Sequence, residues 1–457
     1  MKKSIFITLL ACSALVWNGC QDALDIPPDD VLLKEDALNT AEDLQMLLNS
    51  CYDVLANTYN GNAQNMGEVL GENLARPNSN DDLTEIYIRR SNFFNGTINN
   101  YYKNPYIAIY RCNTLLEGVD QVSISGAERS RILGEARFIR AFCYFDLLQK
   151  FAQPHGFTAD NSHDGVVLRT TPSADPLPRS SVAEVYSLIL SDLEFAITVL
   201  PDDNGAYASR YAAEGLLAMV NMNINNLPEA VAHANVVLNS GQFPLDPNNA
   251  RYTTGVSPES VFYIVSSDAD RRAGELNGKY NTGGATQPNL TLNRELFLTL
   301  NSDTTDSRRQ FITILNEGQE NELYGWNRYN EPWFNIPLVH TTDLKLLRAE
   351  ALAELNQDLG IAIQDVNDII ERAYGAGTSN VLPGNAIAST ILDKVRYERR
   401  LETIGEGTWL YYQKRRGANG ENILIRDAVW NCPGLVLQFP VAERTNIFTM
   451  NPEGGCN

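Results

Sequence analysis

Histidine is scarce. The 457 residues contain only four, His155, His163, His233 and His340, scattered along the chain. No zinc-ligand spacing and no Ser/His/Asp constellation is apparent in the pattern. Positive charge is also short. There are 36 Lys and Arg against 56 Asp and Glu, a formal net charge of −20. So acidic a surface is repelled by phosphate backbones and anionic lipid, which argues against nucleic-acid binding. Beyond the N-terminal twenty residues no run is apolar enough to cross a bilayer. With 56 acids, chance carboxylate pairs are unavoidable, so sequence alone leaves a two-carboxylate hydrolase open.

The one long apolar run is SIFITLLACSALVW, residues 4–17, behind Lys2 and Lys3. A basic start and a short apolar core are the layout of a secretory signal peptide. The run falls short of the roughly 20 residues of a permanent span. Gly19 then precedes Cys20. This junction resembles the lipobox of bacterial lipoproteins, whose cysteine becomes the first mature residue and carries acyl chains. Cys12, in LLAC, would leave only residues 4–8 as the apolar core. Cys20 is therefore the expected lipidation site, and 1–19 the expected signal peptide. A plain secretory signal with an incidental cysteine is the alternative. Each buried methylene contributes about 0.8 kcal/mol, and stable anchoring takes more than one chain. Residues 20–33 read as anchor and tether. Pro27–Pro28 favours extended backbone, and the neighbouring acids resemble a surface-export signal of one branch of Gram-negative bacteria.

Cys51, Cys112 and Cys143 stand in apolar, helical settings and read as buried thiols. Cys432 and Cys456 lie in irregular sequence, and in an oxidising compartment they can pair. Such a loop contributes about 3 kcal/mol.

The rest predicts a mostly α fold, with helices over 104–119 and 128–151. A further helix opens at Ser180 or Ser181, with Glu184 in its first turn, and ends before Pro201. Residues 212–239 and 344–371 look alike. Leu216, Val220 and Ile224 share one face, as do Leu347, Ala351 and Leu355. Each has a polar break and a second helix opening near an alanine, Ala230 or Ala362. The unit is about 34 residues, the length of a tetratricopeptide helix pair, and such pairs must stack to bury their faces. Residues 250–338 are loop-rich, with one strand expected at 261–265.

Several segments together resemble the SusD/RagB family of surface nutrient-binding lipoproteins. They are YIAIYRCNTLL at 106–116, GEARFIRAFCYFDLLQKF at 134–151, SVAEVYSLILSDLEFAITVLP at 181–201, ERRLETIGEGTWLYYQKRRG at 398–417 and FPVAERTNIFTMNPEG at 439–454. The resemblance implies one mostly α domain over 34–457. Its tetratricopeptide-like scaffold would carry long irregular loops and a few short strands. Helical pairs are expected near 104–151, 180–240 and 343–374, with a loop-rich insertion at about 250–338. It implies a protein of the outer membrane surface, without enzymatic activity or cofactor. Such a protein captures oligosaccharides, or in some branches peptides, for a SusC-like TonB-dependent transporter. A protein-binding helical scaffold is a further alternative.

A sugar ring offers an apolar face and a belt of hydroxyls, so aromatic rings beside amides and guanidinia suit it. YGWNRYNEPWF, 324–334, is the densest aromatic stretch and makes Tyr324, Trp326, Tyr329 and Trp333 candidates. Trp326, Tyr329 and Trp333 could equally share one buried helix face, although Gly325 and Pro332 disfavour a helix. In the family the loop before the Asn113 helix commonly helps line the binding face. That makes Tyr101 and Tyr102, in the loop expected at 95–106, candidates. Arg76, in GENLARPN, is the last.

Overall fold

The computed structural model describes residues 38–78 and 81–456. The expected signal peptide, Cys20 and the tether lie outside the described residues.

Side-chain caps fix where the helices begin. Thr40 and Asp43 form a capping box at the start of α1 (Ala41–Thr58). After α2 (Asn62–Leu70) and α3 (Asp81–Tyr87) comes α4 (Gly96–Gly118), where Asn95 accepts from the Ile98 amide. Ser125 caps α5 (Gly126–Phe151). Ser181 and Glu184 close a capping box on α6 (Val182–Val199), as the sequence predicts. The two look-alike segments are helix pairs: α7 (Arg210–Asn223) with α8 (Leu227–Leu238), and, further on, α11 (Thr341–Leu355) with α12 (Leu359–Tyr374). Ala230 and Ala362 are fully buried at their crossings.

Helices pack side by side in a row: α1 on α4, α4 on α5, α5 on α6, α6 on α7, α7 on α8, and α8 on α11. The row ends with α11 against both α12 and α13 (Ala388–Glu402), ahead of α14 (Trp409–Ala418). This is the stacked tetratricopeptide-like scaffold that the helix pairs require.

The loop-rich segment holds α9 (Gly274–Tyr280), α10 (Arg294–Leu300) and four short strands. β1 (Ser260–Ile264) pairs antiparallel with β4 (Ile336–His340). β2 (Ile312–Leu315) pairs antiparallel with β3 (Leu323–Trp326). A final two-residue pair, β5 (Leu424–Ile425) and β6 (Ala428–Val429), follows α14.

One boundary differs from expectation. Residues 95–106 are not a loop: α4 starts at Gly96 and runs through Pro105. Proline removes an amide donor from the helix. Burial of Ile98, Tyr101, Tyr102, Pro105 and Ala108 along one face outweighs that loss.

Cys432 and Cys456 are disulfide-bonded at a sequence separation of 24, while Cys51, Cys112 and Cys143 are buried free thiols. Between the bonded cysteines the chain is pinned to the end of α5. The Leu437 amide donates to the Lys150 carbonyl at 2.8 Å. Asn451 Nδ2 donates to the Phe151 carbonyl at 2.8 Å. Replacing Cys432 by serine is expected to lower the free energy of unfolding by about 3 kcal/mol. Equilibrium denaturation beside the parent protein checks it, and an unchanged midpoint would refute it.

Three glutamates of the ERRLETIGEG segment anchor a buried charge network. Arg308 Nη1 donates to Glu398 at 2.8 Å and to Glu402 at 3.2 Å. Arg372 Nη2 donates to Glu402 at 2.7 Å. Arg251 Nη2 donates to Glu406 at 3.0 Å. These carboxylates are paired with guanidinia, an arrangement suited to joining loop and helix.

Candidate functional site

The loop that follows α2 is held by a close approach. A Cβ on Gly67 would stand 2.2 Å from the Gly407 carbonyl oxygen, so only glycine lets α2 touch the turn after α13. Glu68, beside it, accepts from the Gly405 and Gly407 amides at 3.1 and 3.0 Å. Burial pushes its carboxyl up to about 7. Further along, Glu72 accepts from Trp409 Nε1 at 3.0 Å, and Asn73 Oδ1 from Arg400 Nε at 3.0 Å.

From this base three distant segments pair through backbone. Leu74 bridges Leu292, and Leu292 bridges Tyr324. The Ala75 amide donates to the Thr291 carbonyl at 2.9 Å, and the Leu292 amide to the Tyr324 carbonyl at 2.8 Å. Above the bridges opens a cleft of about 460 Å³, lined among others by Arg294, Gln319, Glu320 and Tyr324. Such a volume falls within the roughly 300–1,000 Å³ of small-ligand sites. Tyr324 stacks on Phe297 with ring centroids 3.8 Å apart and planes 5° apart. Its hydroxyl donates to Glu322 at 2.8 Å. The ring is thus fixed in position while it lines the cleft. Arg76 is exposed one residue beyond Ala75 at the cleft wall.

The other candidates lie elsewhere. Trp326 and Tyr329 are fully buried, and neither offers a ring face to a ligand. Trp326 ends β3 and packs near Phe311. Tyr329 sits among Tyr252, Tyr280 and Phe334. Strand and 3-10 turn bury these rings where a helix face was one of the two sequence readings. Trp333 is half-buried beside exposed Glu331 and Pro332. Tyr101 is buried beside Phe151. Tyr102 lines a separate, larger groove of about 990 Å³, together with Tyr106 and Tyr110. The spacing of those three tyrosines was visible in the sequence, but the expected helix start at 104 divided them. Arg294 and Glu322 carried no sequence signal. Among the described residues no three His, Cys, Asp or Glu side chains converge as a metal site. Among the same residues no helix is long and apolar enough to cross a membrane.

The row of helix pairs thus carries a loop-built polar cleft. Residues 22–222 match the profile of a family described as starch-binding and associating with the outer membrane. Residues 327–421 match that of the SusD family. The chain belongs to the SusD/RagB family. Two SusD-like proteins of Formosa agariphila are similar over most of both chains. One is 27% identical over 467 residues, 89% of this chain and 90% of the relative. The other is 25% identical over 478 residues, 90% of each. A SusD superfamily protein from Bacteroides thetaiotaomicron shares the fold with a TM-score of 0.77 at 23% identity, covering 90% of this chain and 100% of that one. Another from Bacteroides vulgatus gives 0.79 at 21% identity, covering 91% and 99%.

Proposed function

We propose that the protein is a surface-exposed lipoprotein, anchored in the outer membrane through Cys20. It binds oligosaccharides and delivers them to a SusC-like TonB-dependent transporter. Family membership supports the glycan class. The observation that carries the site is the Tyr324 cleft. An aromatic ring clamped by Phe297 lies beside the guanidinium, amide and carboxylate groups that sugar hydroxyls require. The ring needs no reorganisation on binding, so little conformational entropy is lost.

Tyr324→Ala is expected to weaken oligosaccharide binding by about tenfold, a loss of roughly 1.4 kcal/mol, because one stacking face and one hydroxyl leave the cleft. Titration calorimetry of the purified mature protein against a glycan panel and a peptide panel measures this. Binding to peptides alone would overturn the glycan assignment. Mass spectrometry of the native protein for acylated Cys20, and recovery of a barrel transporter with it from outer membranes, test the anchor and the partner.

A further inference from the structure

The 990 Å³ groove is built from different parts than the cleft. Its floor is α4, its walls are α1 and the residue 169–174 loop, and its far edge is the strap at 440–443. Tyr102, Tyr106 and Tyr110 follow one another at every fourth residue of α4, so their rings step along the groove by about 6 Å. Tyr102 and Tyr106 lie 4.9 Å apart with planes tilted by 50°. Tyr110 is 40% exposed at the open side. One buried polar atom at this groove, Asn99 Oδ1, has no hydrogen-bond partner, while the Tyr102 hydroxyl interacts with Glu443 and Tyr106. Native structures rarely leave such a group unsatisfied.

The groove is also cationic in a strongly acidic protein. Lys103, Arg111 and Arg169 line it. Arg111 donates to the Ser50 carbonyl at 2.8 Å, and Arg169 to the Ser173 and Asp175 carbonyls at 2.8 and 2.9 Å. Lys103 is exposed. None of the three is among the ion pairs of the described residues. Two acids share the groove. Asp43 is engaged by the Asn39 and Thr40 amides at 3.1 and 2.9 Å. Burial raises the carboxyl of Glu443 from its ordinary value, against the pull of Tyr102 and Arg169.

We propose that this groove is a second carbohydrate site, separate from the Tyr324 cleft, that takes carboxylate-bearing sugars. The tyrosine ladder covers the apolar ring faces, and the three cations receive the carboxylates. The inference rests on the reading that the protein binds oligosaccharides.

The test is titration calorimetry of the mature protein with an oligogalacturonate trisaccharide and a neutral β-1,4-linked trisaccharide. The parent, Tyr324→Ala and a Lys103→Gln/Tyr110→Ala double variant are compared. Both groove substitutions fall on exposed side chains, and unfolding midpoints of the variants report folding. Acidic trisaccharide binding is expected to weaken about tenfold or more in the double variant, to keep its affinity in Tyr324→Ala, and to weaken with salt. The neutral trisaccharide is expected to show the opposite pattern. Acidic binding that disappears with Tyr324→Ala and survives the double variant overturns the second site. So does binding of the neutral trisaccharide alone, and in both cases glycan capture stands. Binding of neither sugar, nor of any member of the glycan panel, overturns the functional reading and the second site together.

Discussion

Arg251→Met lowers the free energy of unfolding by about 3–5 kcal/mol. Arg251 is fully buried and ion-paired to Glu259, Glu402 and Glu406 at 3.3, 3.2 and 3.0 Å. Its Nη1 also donates to Asn249 Oδ1 at 2.8 Å, and its Nη2 to the Glu402 carbonyl at 2.7 Å. Removing one guanidinium leaves several carboxylates in a low-dielectric interior with too few cations. Arg372 still reaches Glu259 and Glu402, at 3.2 and 2.7 Å, so Glu406 loses most. Among the described residues only His340, at 3.2 Å, remains beside it.

The acid side of the stability profile provides a second readout. Burial alone would raise the Glu406 carboxyl, but Arg251 and His340 outweigh it and bring it down to about 2 from the ordinary 4.5. A depressed carboxyl adds stability that is present above its unfolded value. That stability is lost as pH falls from about 4.5 toward 2. With Arg251 gone, Glu406 loses the chief cause of its depression, and the variant's stability should fall less steeply over the same window. Urea denaturation at a series of pH values measures both effects. A loss under about 1 kcal/mol would mean the network adds little beyond what packing supplies.

The helical frame was readable because its signals are local. A serine three residues before a glutamate specified the α6 start, and apolar residues four apart specified the inner faces of α7 and α11. Ala230 and Ala362 marked close crossings because only a small side chain fits there. The cleft was not readable in the same way. It depends on Leu74, Leu292 and Tyr324 meeting edge to edge, and no local pattern encodes such long-range pairing. The groove was hidden for a related reason. One edge is a C-terminal strap bound to the end of α5, and its floor begins in an Asn-rich stretch whose helicity comes from burial. Aromatic density located the right neighbourhood at 324–334 but not the roles within it. A ring that stacks on a ligand and a ring that fills a core have the same composition, and only Tyr324 faces a cleft.

Trp326 and Tyr324 separate those two roles experimentally. Trp326→Ala is expected to cost about 3–5 kcal/mol of stability, because truncating a fully buried indole removes its transfer free energy and leaves a cavity. The indole is 0% exposed, its Nε1 makes no hydrogen bond, and its ring lies 5.5 Å from Phe311. Phe311 in turn carries the Arg328 guanidinium 4.9 Å from its ring. Collapse there would disturb Arg328, whose Nη2 donates to the Asn249 carbonyl at 2.9 Å and so reaches the buried charge network. The damage therefore spreads inward, away from the cleft. Tyr324, two residues earlier on the same strand, is 8% exposed and packs on Phe297, but it also lines the cleft, so its loss should lower ligand affinity as well as stability. Chemical denaturation and calorimetry on both variants provide a two-by-two comparison. If Trp326→Ala left stability within about 1 kcal/mol of the parent while abolishing oligosaccharide binding, the indole would have to leave the core to meet the sugar, and the buried position described here would be a closed state of the site.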